Sequence, residues 1–127
     1  MKLIYMTITG NVADFVERTG MDSRELNPTN PYFEVNEDYL MVVPSYVGYI
    51  TEDVKDFIDY KNNRDYLVGF VGSGNLNFND LFLVNAKELS LHYDKPIVFA
   101  FEYQGTDKDI EDFKKEVYNI EVTRTKQ

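Results

Sequence analysis

The 127-residue chain contains no cysteine, no tryptophan and one histidine, and only 13 lysines and arginines against 22 aspartates and glutamates. Without cysteine there is no disulfide, no thiolate metal ligand and no thiol nucleophile, which excludes a phosphatase built on a cysteine in a phosphate loop. A chain without cysteine suits a reducing compartment, and a soluble cytoplasmic protein is expected. The net charge of −9 is repelled by the phosphate backbone of nucleic acid and by anionic membrane surfaces alike. No nucleic acid and no membrane is therefore expected as partner, but a small molecule or another protein. No apolar run approaches the roughly 18 residues of a spanning helix, and Lys2 to Met6 is too short for a secretion signal. The lone His92 falls late in a predicted helix, a place for solvation or helix capping rather than chemistry. The pairs Glu52-Asp53 and Glu111-Asp112 fall in or beside first turns of helices, where the dipole favours them. No residue is assigned a catalytic or metal-binding role.

Material for a core is plentiful: 43% of the residues are hydrophobic, with ten tyrosines and nine phenylalanines. Domains commonly run to about 100–150 residues, so one domain over residues 1–120 is expected, with 121–127 a poorly ordered tail. Short apolar runs alternate with amphipathic stretches, the trace that βαβ units leave in a sequence. Strands are predicted at Lys2–Thr7, weakly near Glu25-Leu26, and at Tyr39–Val43, Tyr66–Val71 and Ile97–Glu102. Their Val, Ile, Phe and Tyr content suits strands covered on both faces. Helices are predicted through Val12, Phe15 and Val16 up to a cap at Gly20, and through Val54, Phe57 and Ile58 after Thr51 as N-cap. Two more follow, through Leu83, Ala86, Leu89 and Ser90 after Asp80, and through Ile110, Phe113 and Val117 after Thr106, which forms a capping box with Asp109. Asn27 to Asn36, with two prolines, reads as an exposed loop. The fold class is α/β, a doubly wound parallel sheet of five strands in the order 2-1-3-4-5, with helices on both faces.

Such a sheet takes its ligand outside the carboxyl ends of the strands, where the strand order reverses, which directs attention to the loops after strands one, three and four. Strand one runs into Thr7-Ile8-Thr9-Gly10-Asn11-Val12, where two hydroxyls, a glycine and a helix N-terminus converge. Main-chain N–H groups and the helix dipole hold a phosphate there without a lysine or arginine. The same residue types serve equally as ordinary turn and N-cap residues. Strand three ends in Pro44-Ser45-Tyr46-Val47-Gly48-Tyr49, and strand four in Gly72-Ser73-Gly74-Asn75-Leu76-Asn77-Phe78-Asn79. Aromatic residues in these loops suit the faces of a flat heterocycle, and glycines let main-chain groups reach its polar edge. The alternative for Tyr46, Tyr49 and Phe78 is to pack back onto the sheet. A phosphoacceptor receiver domain would need an acidic cluster after strand one and an aspartate after strand three, where this chain has Thr7-Ile8-Thr9 and Pro44-Ser45.

Ile4 to Val12, Pro44-Ser45-Tyr46, Gly72 to Phe78, and Phe101-Glu102-Tyr103-Gln104-Gly105-Thr106, in this order and spacing, resemble the NrdI family, flavodoxin-like activators of class Ib ribonucleotide reductase. The resemblance spans nearly the whole chain, and its most specific parts are the first motif and Ser-Gly-Asn-x-Asn-Phe after strand four. It implies FMN as cofactor, with its phosphate on Thr7, Ile8, Thr9, Gly10, Asn11 and Val12. The isoalloxazine would lie between Pro44, Ser45, Tyr46, Val47, Gly48 and Tyr49 on one side and Ser73, Gly74, Asn75, Asn77 and Phe78 on the other. It further implies an accessory redox flavoprotein, fed by an upstream flavin reductant, whose reduced FMN reacts with dioxygen to supply superoxide to the radical-bearing small subunit of the reductase. The family's fourth-strand loop usually reads Gly-Asn-Arg-Asn-Phe-Gly; here Leu76 stands for the arginine and Asn79 for the second glycine, which removes a positive charge near the flavin. An electron-transfer flavodoxin serving another enzyme, and a flavin-free α/β interaction module, are the other functions this architecture admits.

Overall fold

A computed structural model describes residues 1–27, 29–45, 50–75 and 83–125. Five parallel strands form one sheet: β1 (Lys2–Tyr5), β2 (Ser23–Glu25), β3 (Tyr39–Pro44), β4 (Leu67–Gly74) and β5 (Ile97–Glu102), in the order β2-β1-β3-β4-β5. The expected topology is thus the observed one. Helices α1 (Asn11–Thr19), α2 (Ile50–Ile58), α3 (Asn63–Tyr66), α4 (Val84–Tyr93) and α5 (Asp107–Thr125) connect and follow the strands.

The period of two along each strand assigns the side chains to faces. Ile4, Met6, Tyr39, Met41, Val43 and Phe70 point to the side covered by α2 and α4, where Val54, Phe57, Ala86 and Leu89 meet them. Leu3, Leu40, Val42, Val71 and Phe101 point to the other side, against Val12, Phe15 and Val16 of α1 and Ile110, Phe113 and Val117 of α5. Every residue of β3 is buried, as the middle strand of a sheet covered twice requires. Phe15 stacks on Phe101 with ring centroids 3.8 Å apart and meets Phe113 at 5.3 Å, so one aromatic cluster joins α1, β5 and α5.

Several local expectations are corrected by tertiary contacts. Thr51, expected as an N-cap, sits inside α2. Tyr66 belongs to α3, and β4 continues past Val71 to Gly74 because Gly72 pairs with Val43, Ser73 with Pro44 and Gly74 with Glu102. Ladder hydrogen bonds on both sides override the poor strand preference of glycine. The close fit of α4 over β4 uses the same glycine: a Cβ on Gly72 would stand 2.6 Å from Leu83 Cδ2. The loop after β2, expected to be exposed, is docked instead: Pro31 is buried and Phe33 and Val35 pack on the core. Asn63 fixes it, donating its Nδ2 to the carbonyls of Phe33 (2.8 Å) and Phe57 (2.9 Å) and accepting from Val35 N–H at 3.0 Å. The tail expected after Ile120 is helical as far as Thr125, tied down where Glu121 meets the Met1 amine (3.2 Å) and Arg124 meets Asp38 (2.9 Å). Thr106 and Asp109 form the expected capping box reciprocally, at 2.9 and 3.0 Å. Among the described residues no helix is long and apolar enough to cross a membrane.

Candidate functional site

The strand order reverses between β1 and β3, and the carboxyl ends of β1, β3 and β4 lie side by side there. After β1 the chain turns through Thr7, Ile8 and Thr9 into α1, with Gly10 as its N-cap at φ +93°. Thr7 shapes this turn from within, since its Oγ1 accepts from the main-chain N–H groups of Gly10 (3.2 Å) and Ala13 (3.5 Å). Thr9 and Ile8 are exposed on its outside, Ile8 to 55%. A Cβ at Gly10 would meet no atom within 4 Å, so the turn opens outward over the first helical N–H groups, which have no intrahelical acceptor. Asn11 and Val12 begin the helix, Val12 buried and Asn11 half-buried.

At the end of β3, Pro44 pairs with Ser73 of β4. Its carbonyl accepts from Asn85 Nδ2 at 2.9 Å, a buried tie from α4 that no local pattern announces. Ser45 follows with its Oγ buried and without a hydrogen-bond partner among the described residues. At the end of β4, Ser73 Oγ donates to the carbonyl of Tyr103 (2.7 Å) and Asn75 Nδ2 donates to the Tyr103 phenol (2.6 Å). The expected site residues Tyr46, Val47, Gly48, Tyr49, Asn77 and Phe78 lie outside the described residues.

Sequence reasoning assigned no site role to the turn after β5, although its motif was in view. Ala100 to Thr106, with Asp109, line a cavity of about 440 Å³ at the carboxyl end of β5. Tyr103 and Gly105 both have positive φ, +53° and +77°. Arg18 of α1 holds this turn through the carbonyls of Gln104 and Gly105, the latter at 2.7 Å, and pairs with Asp14 (3.0 Å) and Asp107 (3.4 Å). The readable signal was positional, because the turn after β5 sits at the same end of the sheet as the other three.

A doubly wound sheet of this order, with an N–H-rich turn after β1 at the reversal point, defines a flavodoxin-like domain. The family described as NrdI Flavodoxin like matches residues 3–115, and the chain belongs to it. The family binds FMN, so this is an FMN-binding flavodoxin-like protein.

Proposed function

We propose that the protein is a cytoplasmic accessory redox protein that holds FMN at the carboxyl ends of β1, β3 and β4 and serves the radical-bearing small subunit of a class Ib ribonucleotide reductase. Bound there and reduced by an upstream flavin reductant, FMN supplies one-electron chemistry toward dioxygen, with superoxide as the oxidant delivered to the subunit. Membership of the NrdI family supports this reading of the partner.

The observation that carries the assignment of the site is the buried Ser45 hydroxyl at the strand reversal. A buried hydroxyl left unpaired costs about 1–3 kcal/mol, and at the carboxyl ends of the strands, where such a sheet takes its ligand, a ligand group pairing with it would recover that cost. The other residues fit the same molecule. The turn from Thr7 to Val12 offers main-chain N–H groups, a helix dipole and the outer hydroxyl of Thr9 to a phosphate. Ser45, Ser73 and Asn75 bring short polar side chains to where a heterocycle's polar edge would lie, and Ile8 supplies exposed apolar surface beside it. In this arrangement Thr7 keeps the turn in shape, Thr9 and the N-terminus of α1 bind and orient the phosphate, and the strand ends restrict access of water.

The test is an anaerobic reduction of the FMN-loaded protein followed by oxygen, with and without the reductase small subunit, monitored by visible and electron paramagnetic resonance spectra. The expected result is a protein radical that forms in the subunit only when the reduced flavoprotein and oxygen are both present. A flavoprotein that cycles with oxygen but neither binds the subunit nor generates its radical would be an electron carrier for another enzyme.

A further inference from the structure

We propose that Tyr103 is a positioning residue of the flavin site, setting the side-chain amide of Asn75 at the end of β4; the inference rests on the FMN reading above. Tyr103 engages three consecutive residues. Its main-chain N–H donates to the Gly74 carbonyl at 3.0 Å, its carbonyl accepts from Ser73 Oγ at 2.7 Å, and its phenol oxygen accepts from Asn75 Nδ2 at 2.6 Å. It does so with φ at +53°, a region costly for an aromatic residue, and with 47% of its surface exposed. The tight turn closed by Gly105 N–H on the Glu102 carbonyl at 2.8 Å accounts for this φ, and the three bonds to Ser73, Gly74 and Asn75 hold the turn against the end of β4.

The turn that carries Tyr103 is fixed from its other side. The Arg18 guanidinium donates to the Gln104 and Gly105 carbonyls, and the Gly105 backbone lies so close to Phe15 that a Cβ would stand 2.8 Å from its ring. Thr106 and Asp109 close the start of α5 beyond it. The phenol is therefore presented from a rigid backbone to a side chain at the rim of the site, which is how a supporting group fixes the plane of an amide that reads a ligand. Because Arg18 projects from the helix whose N-terminus forms the phosphate turn, the same strap keeps the two ends of the ligand site in register.

Removing only the hydroxyl, by Tyr103→Phe, is expected to weaken FMN and riboflavin to the same extent, by about 2- to 10-fold, since an uncharged hydrogen bond is lost at the ring end and none at the phosphate. The flavin's visible circular dichroism and midpoint potential should shift, while the unfolding midpoint of the FMN-free protein stays unchanged. Tyr103→Gly separates positioning from folding: glycine adopts this φ without strain, so stability should hold while both flavins bind at least as weakly as to Tyr103→Phe. Wild-type affinity, spectrum and potential in Tyr103→Phe would overturn the inference and leave the FMN reading standing. A loss for FMN but not riboflavin would also overturn it, by placing the effect at the phosphate. A wild-type protein that binds neither flavin would overturn the FMN reading and the inference together.

Discussion

The two ends of the sheet are closed in different ways. At the amino ends of the strands, opposite charges from distant segments meet: the Met1 amine with Glu121, Lys2 with Asp22 and Asp38 with Arg124. At the carboxyl ends the chain presents hydroxyls, amides and main-chain groups, among them the buried Ser45 Oγ, while positive φ occurs at both ends, at Tyr103 and Gly105 here and at Asn36 and Asp94 before β3 and β5. Exposed ion pairs contribute little, each about 0–1 kcal/mol, but they cost little too. Buried or strained polar groups are costly unless something binds them. One end is closed by ion pairs, and the other presents the polar groups that the proposed ligand would meet.

The largest effect that would sharpen this contrast is expected from Thr9→Ala. Loss of a hydrogen bond to a charged phosphate should weaken FMN roughly 10- to 150-fold, or about 1.5–3 kcal/mol, and leave riboflavin affinity unchanged. Unaltered FMN affinity in a fluorescence titration would remove the phosphate from this turn. Gly105→Ala should blur the contrast, because its φ of +77° and the 2.8 Å approach to Phe15 make it structural although it stands at the ligand end. A loss of about 1–3 kcal/mol in urea unfolding is expected, and a variant as stable as the parent would mean that the turn shifts freely.

Smaller effects are expected at two buried tyrosines of the α2–α4 face. Tyr39 OH has no hydrogen-bond partner among the described residues, whereas Tyr93 OH donates to Asp59 at 3.0 Å. Tyr39→Phe should therefore be neutral or stabilising by up to about 1 kcal/mol, and Tyr93→Phe destabilising by about 1 kcal/mol. Burial first, and the neighbouring Asp59 with it, holds both phenols well above their ordinary value of 10.0. A folded value above the unfolded one gives stability that is full below pH about 10 and is lost as the pH rises beyond it. Unfolding midpoints measured between pH 8 and 12 should fall steeply above about 10 in the parent and more gently when both tyrosines are phenylalanine; parallel curves would refute the linkage. Smallest of all, Arg124→Ala should cost no more than about 0.5–1 kcal/mol in thermal unfolding and leave FMN affinity untouched. A measurable loss of binding there would show that the two ends are coupled.

How much of this was legible in the sequence followed from distance along the chain. The near-continuous apolar runs at Leu3-Ile4 and Leu40 to Val43 are local, and they pointed to strands covered on both faces, as the structure has them. The Thr7 to Val12 turn and the Thr106–Asp109 box were likewise readable, because all their parts lie within six residues. What escaped depended on contacts from afar. Asn85 reaches Pro44, Tyr103 reaches Ser73 and Asn75, and Arg124 reaches Asp38, and each side chain taken alone reads as ordinary surface. Strand β4 outran its predicted end for the same reason, since its last residues owe their conformation to partners on β3 and β5.

Asn63 also has a consequence in time. Its amide joins α3 to main-chain groups at Phe33 and Val35, some thirty positions earlier, and to Phe57 at the end of α2. Those three segments must meet before the amide can bridge them, so the clamp is expected on the late side of the folding barrier, and Asn63→Ala should speed unfolding while leaving the folding rate nearly unchanged. A bond made after the barrier hardly speeds folding, but it has to be broken before the chain can leave the native state. Its main work is therefore to lengthen the life of the folded protein.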